Sequence, residues 1–386
     1  MYRPQFSGVK RRLTERRDTY QYVPLIPSLT KLLSDDTVLE QIDTCPQRIH
    51  TDGLIEDFCD GTLFTRHPLF SQDPYALQIV AYYDELEICN PLGAHIKRHK
   101  RGIVFYTLAN IAPKFRSQLK LINLSIVTTV PVIEKYGLDC ILKPFIADLN
   151  TLATTGMSIY VHGSLRQFKG ALLAFLADNL AANDLGGFKK SFSFSFRCCR
   201  TCLVTQDTLT SSFTSSGFEL RTEDKHLEQC QNLDGPTASH YSKTYGINRK
   251  SSLLDVVHFS MFGVGLPHDA MHDILEGIAP LEIKLLISHC ITNGLFTLEH
   301  FNHRLMNFNY GYSETDKPVP ILARTLRSDN PIRSSASQML LLLQALPFLV
   351  GDKVPEDNEH WLCFLLLRKI VGVVLSPVFL NVFVHR

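Results

Sequence analysis

Gly170-Ala-Leu-Leu-Ala-Phe-Leu-Ala-Asp178 is a short apolar run that ends on a carboxylate. It reads as a buried strand, although periodicity alone does not separate such a run from a buried helix. The segments before it favour the strand. Gln78-Ile-Val-Ala-Tyr-Tyr-Asp-Glu-Leu-Glu-Ile88 is rich in β-formers and is closed by the turn Asn90-Pro-Leu-Gly93. Gly102 to Ile111 and Leu119 to Val130 supply two further strands, which together suggest an antiparallel three-strand meander. From Val132 to about Thr155, Ile141, Leu142, Phe145, Ile146 and Leu149 recur at helical spacing. Pro144 inside that stretch implies a kink or a later start.

Three strands, a helix, then a buried strand ending in an acid is the order of a ribonuclease-H-like fold, a mixed α/β architecture. In that order Asp84 falls on the first strand and Asp178 at the end of the fourth. A carboxylate on a central strand is costly to bury unless it is paired or holds a metal. Two such acids on neighbouring strands can hold Mg²⁺ (or Mn²⁺), a hard cation that takes oxygen ligands and keeps its waters. Two such ions would activate a water and stabilise the leaving oxygen in phosphodiester cleavage. Taken singly, each acid is more often a strand end facing solvent.

The chain has 386 residues, 45% of them hydrophobic, enough for a sizeable core in two or three domains. Its 39 Lys and Arg nearly balance its 38 Asp and Glu, so no global field draws it to nucleic acid or membrane. Local basic patches remain at Lys10-Arg11-Arg12 with Arg16-Arg17, and at Lys97-Arg98-His99-Lys100-Arg101. Each also suits solvated surface or a nuclear-import signal. Met1 to Lys10 lacks the apolar stretch of a secretion signal, which predicts reduced cysteines in the cytosol or nucleus. The apolar run Trp361 to Val384 is interrupted by Arg368, Lys369, Pro377 and Asn381, which predicts buried helix rather than a membrane span.

Cys199-Arg-Thr-Cys202 and His226-Leu-Glu-Gln-Cys230 have spacings that let two side chains of each pair point at one tetrahedral ion. Thiolate plus imidazole is the donor set zinc prefers, so Cys199, Cys202, His226 and Cys230 are the expected ligands of a structural Zn²⁺. Cys198 is an alternative to Cys199, and His240 to either member of the second pair. The competing reading is that ten cysteines place some pairs close by chance. Pro267-His-Asp-Ala-Met-His-Asp-Ile-Leu-Glu-Gly277 is a second polar cluster. On a helix it would put Asp269, His272 and Glu276 on one face, with Asp273 beside them. A plain helix start, with acids favoured by the dipole, explains it equally well. No phosphate loop, nucleophile elbow or dinucleotide fingerprint occurs. Helical pattern fills the remainder, over Leu281 to Ile291, Leu298 to Phe308, Ser334 to Val350 and Trp361 to Val374.

Four stretches, in order, resemble a transposase of the CACTA (En/Spm-like) group. They are Tyr82-Tyr-Asp-Glu-Leu-Glu-Ile-Cys-Asn-Pro-Leu-Gly93, Leu176-Ala-Asp-Asn-Leu-Ala-Ala182, Cys199 to Cys202, and Leu266-Pro-His-Asp-Ala-Met-His272. The resemblance covers roughly residues 67 to 310 and implies a DDE nuclease and strand transferase acting on transposon ends in the nucleus. It implies Asp84 and Asp178 as the first two catalytic acids, and Cys199, Cys202, His226 and Cys230 as ligands of a metal insert. It assigns Asp269 and His272 to an Asp-x-x-His motif that positions the DNA end. The division that follows is a leader at 1–66, part of a ribonuclease-H-like core at 67–190, a Cys/His zinc insert at 191–248 and a helical insertion at 249–386. The leader reads as polar and weakly structured, with one helical segment near Leu29 to Ile42 and Ser28, just after Pro27, as its candidate N-cap.

The family's third acid is a glutamate on a helix that returns to the core after the insertion. No such segment occurs before Arg386, and Glu276 lies too near the Asp-x-x-His motif to stand in for it. The expectation is therefore a truncated copy, inactive alone, with DNA as partner, a second copy of itself as a candidate partner, and no membrane. The competing expectation is a zinc-stabilised DNA- or protein-binding module without chemistry. A third, built on His268-Asp269 and His272-Asp273, is a phosphohydrolase.

Overall fold

The computed structural model describes residues 2–7, 10–15, 17–50, 52–87, 99–191 and 195–380. The chain divides into two compact units, Met1–Pro267 and His268–Arg386.

The first unit is mixed α/β around a mixed sheet. Its long strands are β1 (Leu77–Glu87), β2 (Lys100–Leu108), β3 (Asn123–Thr129) and β4 (Gly170–Leu176). The order across the sheet is β4-β1-β2-β3, with the short strand Gln21–Tyr22 at the β3 edge. β1, β2 and β3 form the antiparallel meander that the sequence suggests, and β4 lies parallel to β1. Alternation decides the core face: Leu77, Ile79, Ala81 and Tyr83 of β1 are buried. The helix α1 (Leu138–Thr154) covers that face with Ile141, Leu142, Phe145, Ile146 and Leu149, and runs through Pro144. The helical stretch expected from Val132 to Thr155 is in fact two helices, because Gly137, at φ 80°, ends Val130–Tyr136 before α1 begins.

β4 is a strand, and one residue decides its phase. Its partners run Leu172↔Ile79 and then Ala174↔Val80, so Leu173 is an extra residue in a bulge. Beyond the bulge Phe175 faces the core beside Ala81 and meets the Phe145 ring edge-on at 6.5 Å. The last pair is Leu176↔Tyr82. Without the bulge, every later side chain of β4 would change faces.

The expected polar, weakly structured leader is a correction. Residues Tyr2–Ser7 and Lys10–Glu15 pair as an antiparallel hairpin, and the single helix expected near Leu29 to Ile42 is two, Leu25–Leu32 and Asp36–Asp43. Leu25, Leu29 and Leu33 are fully buried in the sheet's own core. The Tyr22 hydroxyl and the Leu25 amide both donate to Asp148 Oδ2 on α1, at 2.6 and 2.8 Å. Ser28 is not an N-cap; its hydroxyl accepts from Tyr106 at 2.6 Å inside the helix. The hairpin Met157–Val161/Ser164–Phe168, between α1 and β4, had no counterpart in the sequence reading. The turn at 90–93 and the patch residues Lys97 and Arg98 lie outside the described residues.

Leader, core and Cys/His segment thus belong to one unit, and the boundary to the helical region falls after Pro267 instead of near 249. The second unit is helical. A π-helical turn, Met271–Ile278, runs on into α4 (Ala279–Thr292), followed by α5 (Leu298–Asn307), α6 (Ala336–Val350) and α7 (Glu359–Val374). α6 starts on a capping box of Ser335 and Gln338, and α7 on the Asn358 side chain, as the polar residues before each apolar run require. Ile283, Leu286 and Ile287 of α4, Leu342, Leu346 and Leu349 of α6, and Trp361, Phe364 and Leu367 of α7 build its core. Among the described residues no helix is long and apolar enough to cross a membrane. The expected buried helix near the C-terminus is buried on one face only: Leu362, Leu366 and Ile370 of α7 stay exposed.

Candidate functional site

The two acids singled out from sequence both follow the last paired residues at one end of the sheet, Asp84 still on β1 and Asp178 just beyond the end of β4. Leu176 and Tyr82 are register partners on parallel strands, and Asp178 and Asp84 each follow by two residues. Parallel neighbours lie about 4.8 Å apart and point the same way at matched positions. Asp178 caps the helix α2 (Asn179–Leu185), its Oδ1 accepting from the Ala181 amide at 2.7 Å. Asp84 Oδ1 accepts from the Glu85 amide at 2.7 Å. Both carboxylates are partly exposed, and neither makes an ion pair among the described residues. Glu85, on the other face, is taken by Lys100 Nζ and Tyr83 Oη, both at 3.3 Å. The Tyr83 phenol is pushed up by burial, then by the charges of Glu85, Asp184 and Asp178, which places Asp178 within electrostatic reach of β1.

Two arginines that sequence reasoning passed over hold this end together. Arg200 is buried between the two cysteines of Cys199-Arg-Thr-Cys202. It donates to Asn179 Oδ1 at 3.0 Å and to the carbonyls of Leu266 and Pro267 at 3.2 and 2.6 Å. It therefore fixes the residue next to Asp178. Arg249 bridges Asp139, at the start of α1, and the Asp184 carbonyl, at the end of α2. Arg200 stood inside a quoted motif; Arg249 carried no signal beyond its charge.

Cys199 and Cys202 come together: burial raises the Cys202 thiol first, and the Cys199 thiol, within hydrogen-bonding reach, raises it further. The Thr201 amide also donates to Cys199 Sγ at 3.3 Å. Arg221 packs beneath, 4% exposed, and donates to the carbonyls of Cys199 and Tyr245 at 2.8 Å and of Arg197 at 3.2 Å. Burial pulls its guanidinium down to about 10. His226 and Cys230 lie one turn apart on the helix α3 (Glu223–Gln231). His226 is 1% exposed, between the rings of Phe188 and Phe262 at 5.3 Å each. Neither of its ring nitrogens has a hydrogen-bond partner, and burial, then Arg221, pushes it down to about 4. The Cys230 thiol is raised by burial and packs against the main core. Among the described residues, no group of three or more His, Cys, Asp and Glu side chains is gathered so as to hold a metal ion. The structure thus provides one thiol pair and one orphaned imidazole, not a closed four-ligand site. Among the described residues, the acidic end likewise gathers no set of three carboxylates fit to hold a metal ion.

Comparison with protein-family models finds no match, and comparison with curated proteins finds none. Function therefore rests on the geometry.

In the second unit, Asp269 Oδ1 accepts from the amides of Met271 and His272 at 2.9 and 3.3 Å, and its Oδ2 lies 2.6 Å from His272 Nδ1. Burial raises the Asp269 carboxyl, but the hydrogen bonds from His272 outweigh it and leave the group below the usual carboxylate range. Glu276 Oε2 lies 3.9 Å from His272 Nε2, and Asp273 Oδ2 lies 3.9 Å from His268 Nδ1. The expected one-face cluster is therefore present as an oriented Asp–His pair with a second acid beyond it.

Proposed function

We propose that the first unit is a ribonuclease-H-like nuclease core of the transposase type, acting on DNA through a divalent metal held by Asp84 and Asp178. One observation supports this reading: the bulged parallel register, whose last pair, Leu176 and Tyr82, is followed two residues on by an aspartate in each segment. The meander, covering helix and parallel fourth strand support it as the scaffold. With no cation among the described residues to balance them, the pair suits Mg²⁺ or Mn²⁺. When bound, such an ion would supply Lewis-acid stabilisation of the charge that builds on a phosphodiester during cleavage. Asp178 is held for this task by its cap bond to Ala181, and α2 is fixed by Arg200 and Arg249. The Asp269–His272 pair fits the positioning of a DNA end. Nuclear location belongs to the same reading. Two acids hold a metal more loosely than three, so turnover by the chain alone should be weak. The test is Mg²⁺- or Mn²⁺-dependent nicking of DNA, lost in Asp84→Ala and in Asp178→Ala. Nicking that survives both substitutions would overturn the site.

A second reading is favoured by the want of a gathered third acid among the described residues: a DNA- or protein-binding module without chemistry, in which zinc would have to draw His226 and Cys230 toward the Cys199–Cys202 pair. The orphaned His226 ring nitrogens are the feature that supports a metal there. Elemental analysis finding about one zinc per chain, with DNA binding but no nicking, would favour this reading. Absence of zinc would remove it.

A further inference from the structure

The second unit holds a cleft of about 570 Å³ between the segment 318–334 and the first half of α6. Sites for small organic molecules run from about 300 to about 1,000 Å³, so the space suits one. Buried Ile321, Ile332 and Leu342 form its floor. Pro318, Pro320 and Pro331 stand in its walls, where their locked φ leaves little to order on binding. Both walls are also pinned from behind. The Asn302 side chain of α5 accepts from the Ile321 amide and donates to the Ile321 carbonyl, each at 2.9 Å. Lys284 of α4, itself 6% exposed, donates to the Ser328 carbonyl and, at 2.9 Å, to the Asn330 carbonyl.

Charge gives the sign of the ligand. Arg324 and Arg333 line the cleft, and among the described residues no aspartate or glutamate does. Neither guanidinium has a hydrogen-bond or ion-pair partner among the described residues. The Lys284 ammonium behind the wall meets carbonyls rather than a carboxylate. Asp316, close by, is taken up by Ser335 and Gln338 at 2.6 and 2.9 Å. The Ser334 hydroxyl lines the cleft too and is buried without a partner, a cost that a bound acceptor would remove.

We propose that this cleft binds an aliphatic carboxylate, with its chain over the isoleucines and prolines and its head at Arg324 and Arg333. A guanidinium presents two parallel N–H donors to a carboxylate, and the Ser334 hydroxyl adds a third donor. A DNA strand suits the cleft less well, because its polar backbone would lose water against proline and isoleucine. None of these residues belongs to the acidic site, so the cleft stands apart from the nuclease reading.

The test is isothermal titration calorimetry of decanoate into the full chain. Saturable binding of about one decanoate per chain is expected, with 1-decanol roughly tenfold weaker or more. Arg324→Gln and Arg333→Gln, both at exposed side chains, are each expected to lower affinity about tenfold with an unchanged circular dichroism spectrum. Arg327→Gln, on the same short helix as Arg324 but outside the cleft, is expected to leave binding unchanged. Val319→Asp, which sets an acid on an exposed position of the cleft, is expected to abolish it. No binding, or equal affinity for decanol and decanoate, would overturn the proposal. So would a loss in Arg327→Gln as large as in Arg324→Gln, or displacement of decanoate by a short DNA duplex.

Discussion

Leu176 and Tyr82 are partners across two parallel strands, and an aspartate follows each by the same two residues. The bulge at Leu173 creates that match. In an unbroken register Ala177, not Asp178, would stand level with Asp84. A single inserted residue therefore separates an acidic pair from an acid facing a methyl group.

The pairing of β4 with α1 carries this geometry, through Phe145 and Phe175, both fully buried and in edge-to-face contact. Phe145→Ala and Phe175→Ala should each cost about 3 to 5 kcal/mol. A double-mutant cycle in urea should return about 0.5 to 1.5 kcal/mol of coupling beyond burial. Strict additivity would show that the rings do not act as a pair.

Arg221 should hold the Cys/His segment as a unit. Replacing it with Met leaves the carbonyls of Cys199, Arg197 and Tyr245 without their buried donor, at a cost of about 3 kcal/mol. Hydrogen exchange should rise across the cysteine turn and α3 while β1 and β2 stay protected. Uniform protection loss would mean the segment and the sheet unfold together.

Acid should weaken the second unit through Asp352. Arg304, first by hydrogen bond and then by charge, holds this carboxyl down at about 2, below its ordinary value near 3.8. A carboxyl with a depressed folded pKa contributes stability above its unfolded value and loses it as pH falls toward the folded one. Between pH 4 and 2 the wild type should therefore lose stability that Asp352→Asn does not have to lose. Parallel thermal melting curves for the two proteins over that window would refute this.

Much of this architecture was legible in the residues. The meander, the helix over Leu138–Thr154, the strand at Gly170 and all four long C-terminal helices followed from β-former content, apolar runs and helical spacing. The leader was misread because its polar letters are solvent-facing, while Leu25, Leu29 and Leu33 reach a core built from sequence far downstream. The split at Gly137 was missed because apolar spacing continues across it. Asp84 and Asp178 were legible as costly positions, but their match depends on a bulge at Leu173 that no composition signals. The Cys/His spacing identified Cys199 and Cys202 as a pair, whereas His226 lies between two phenylalanines, a packing outcome that spacing does not encode.

The most direct measurement is Mn²⁺ binding to the full chain, followed by electron paramagnetic resonance of the free ion. Asp84→Asn and Asp178→Asn should each lower affinity about tenfold or more, and the double variant should fall little further, because both carboxylates serve one ion. Wild-type affinity in either single variant, or losses that simply add, would contradict a shared site.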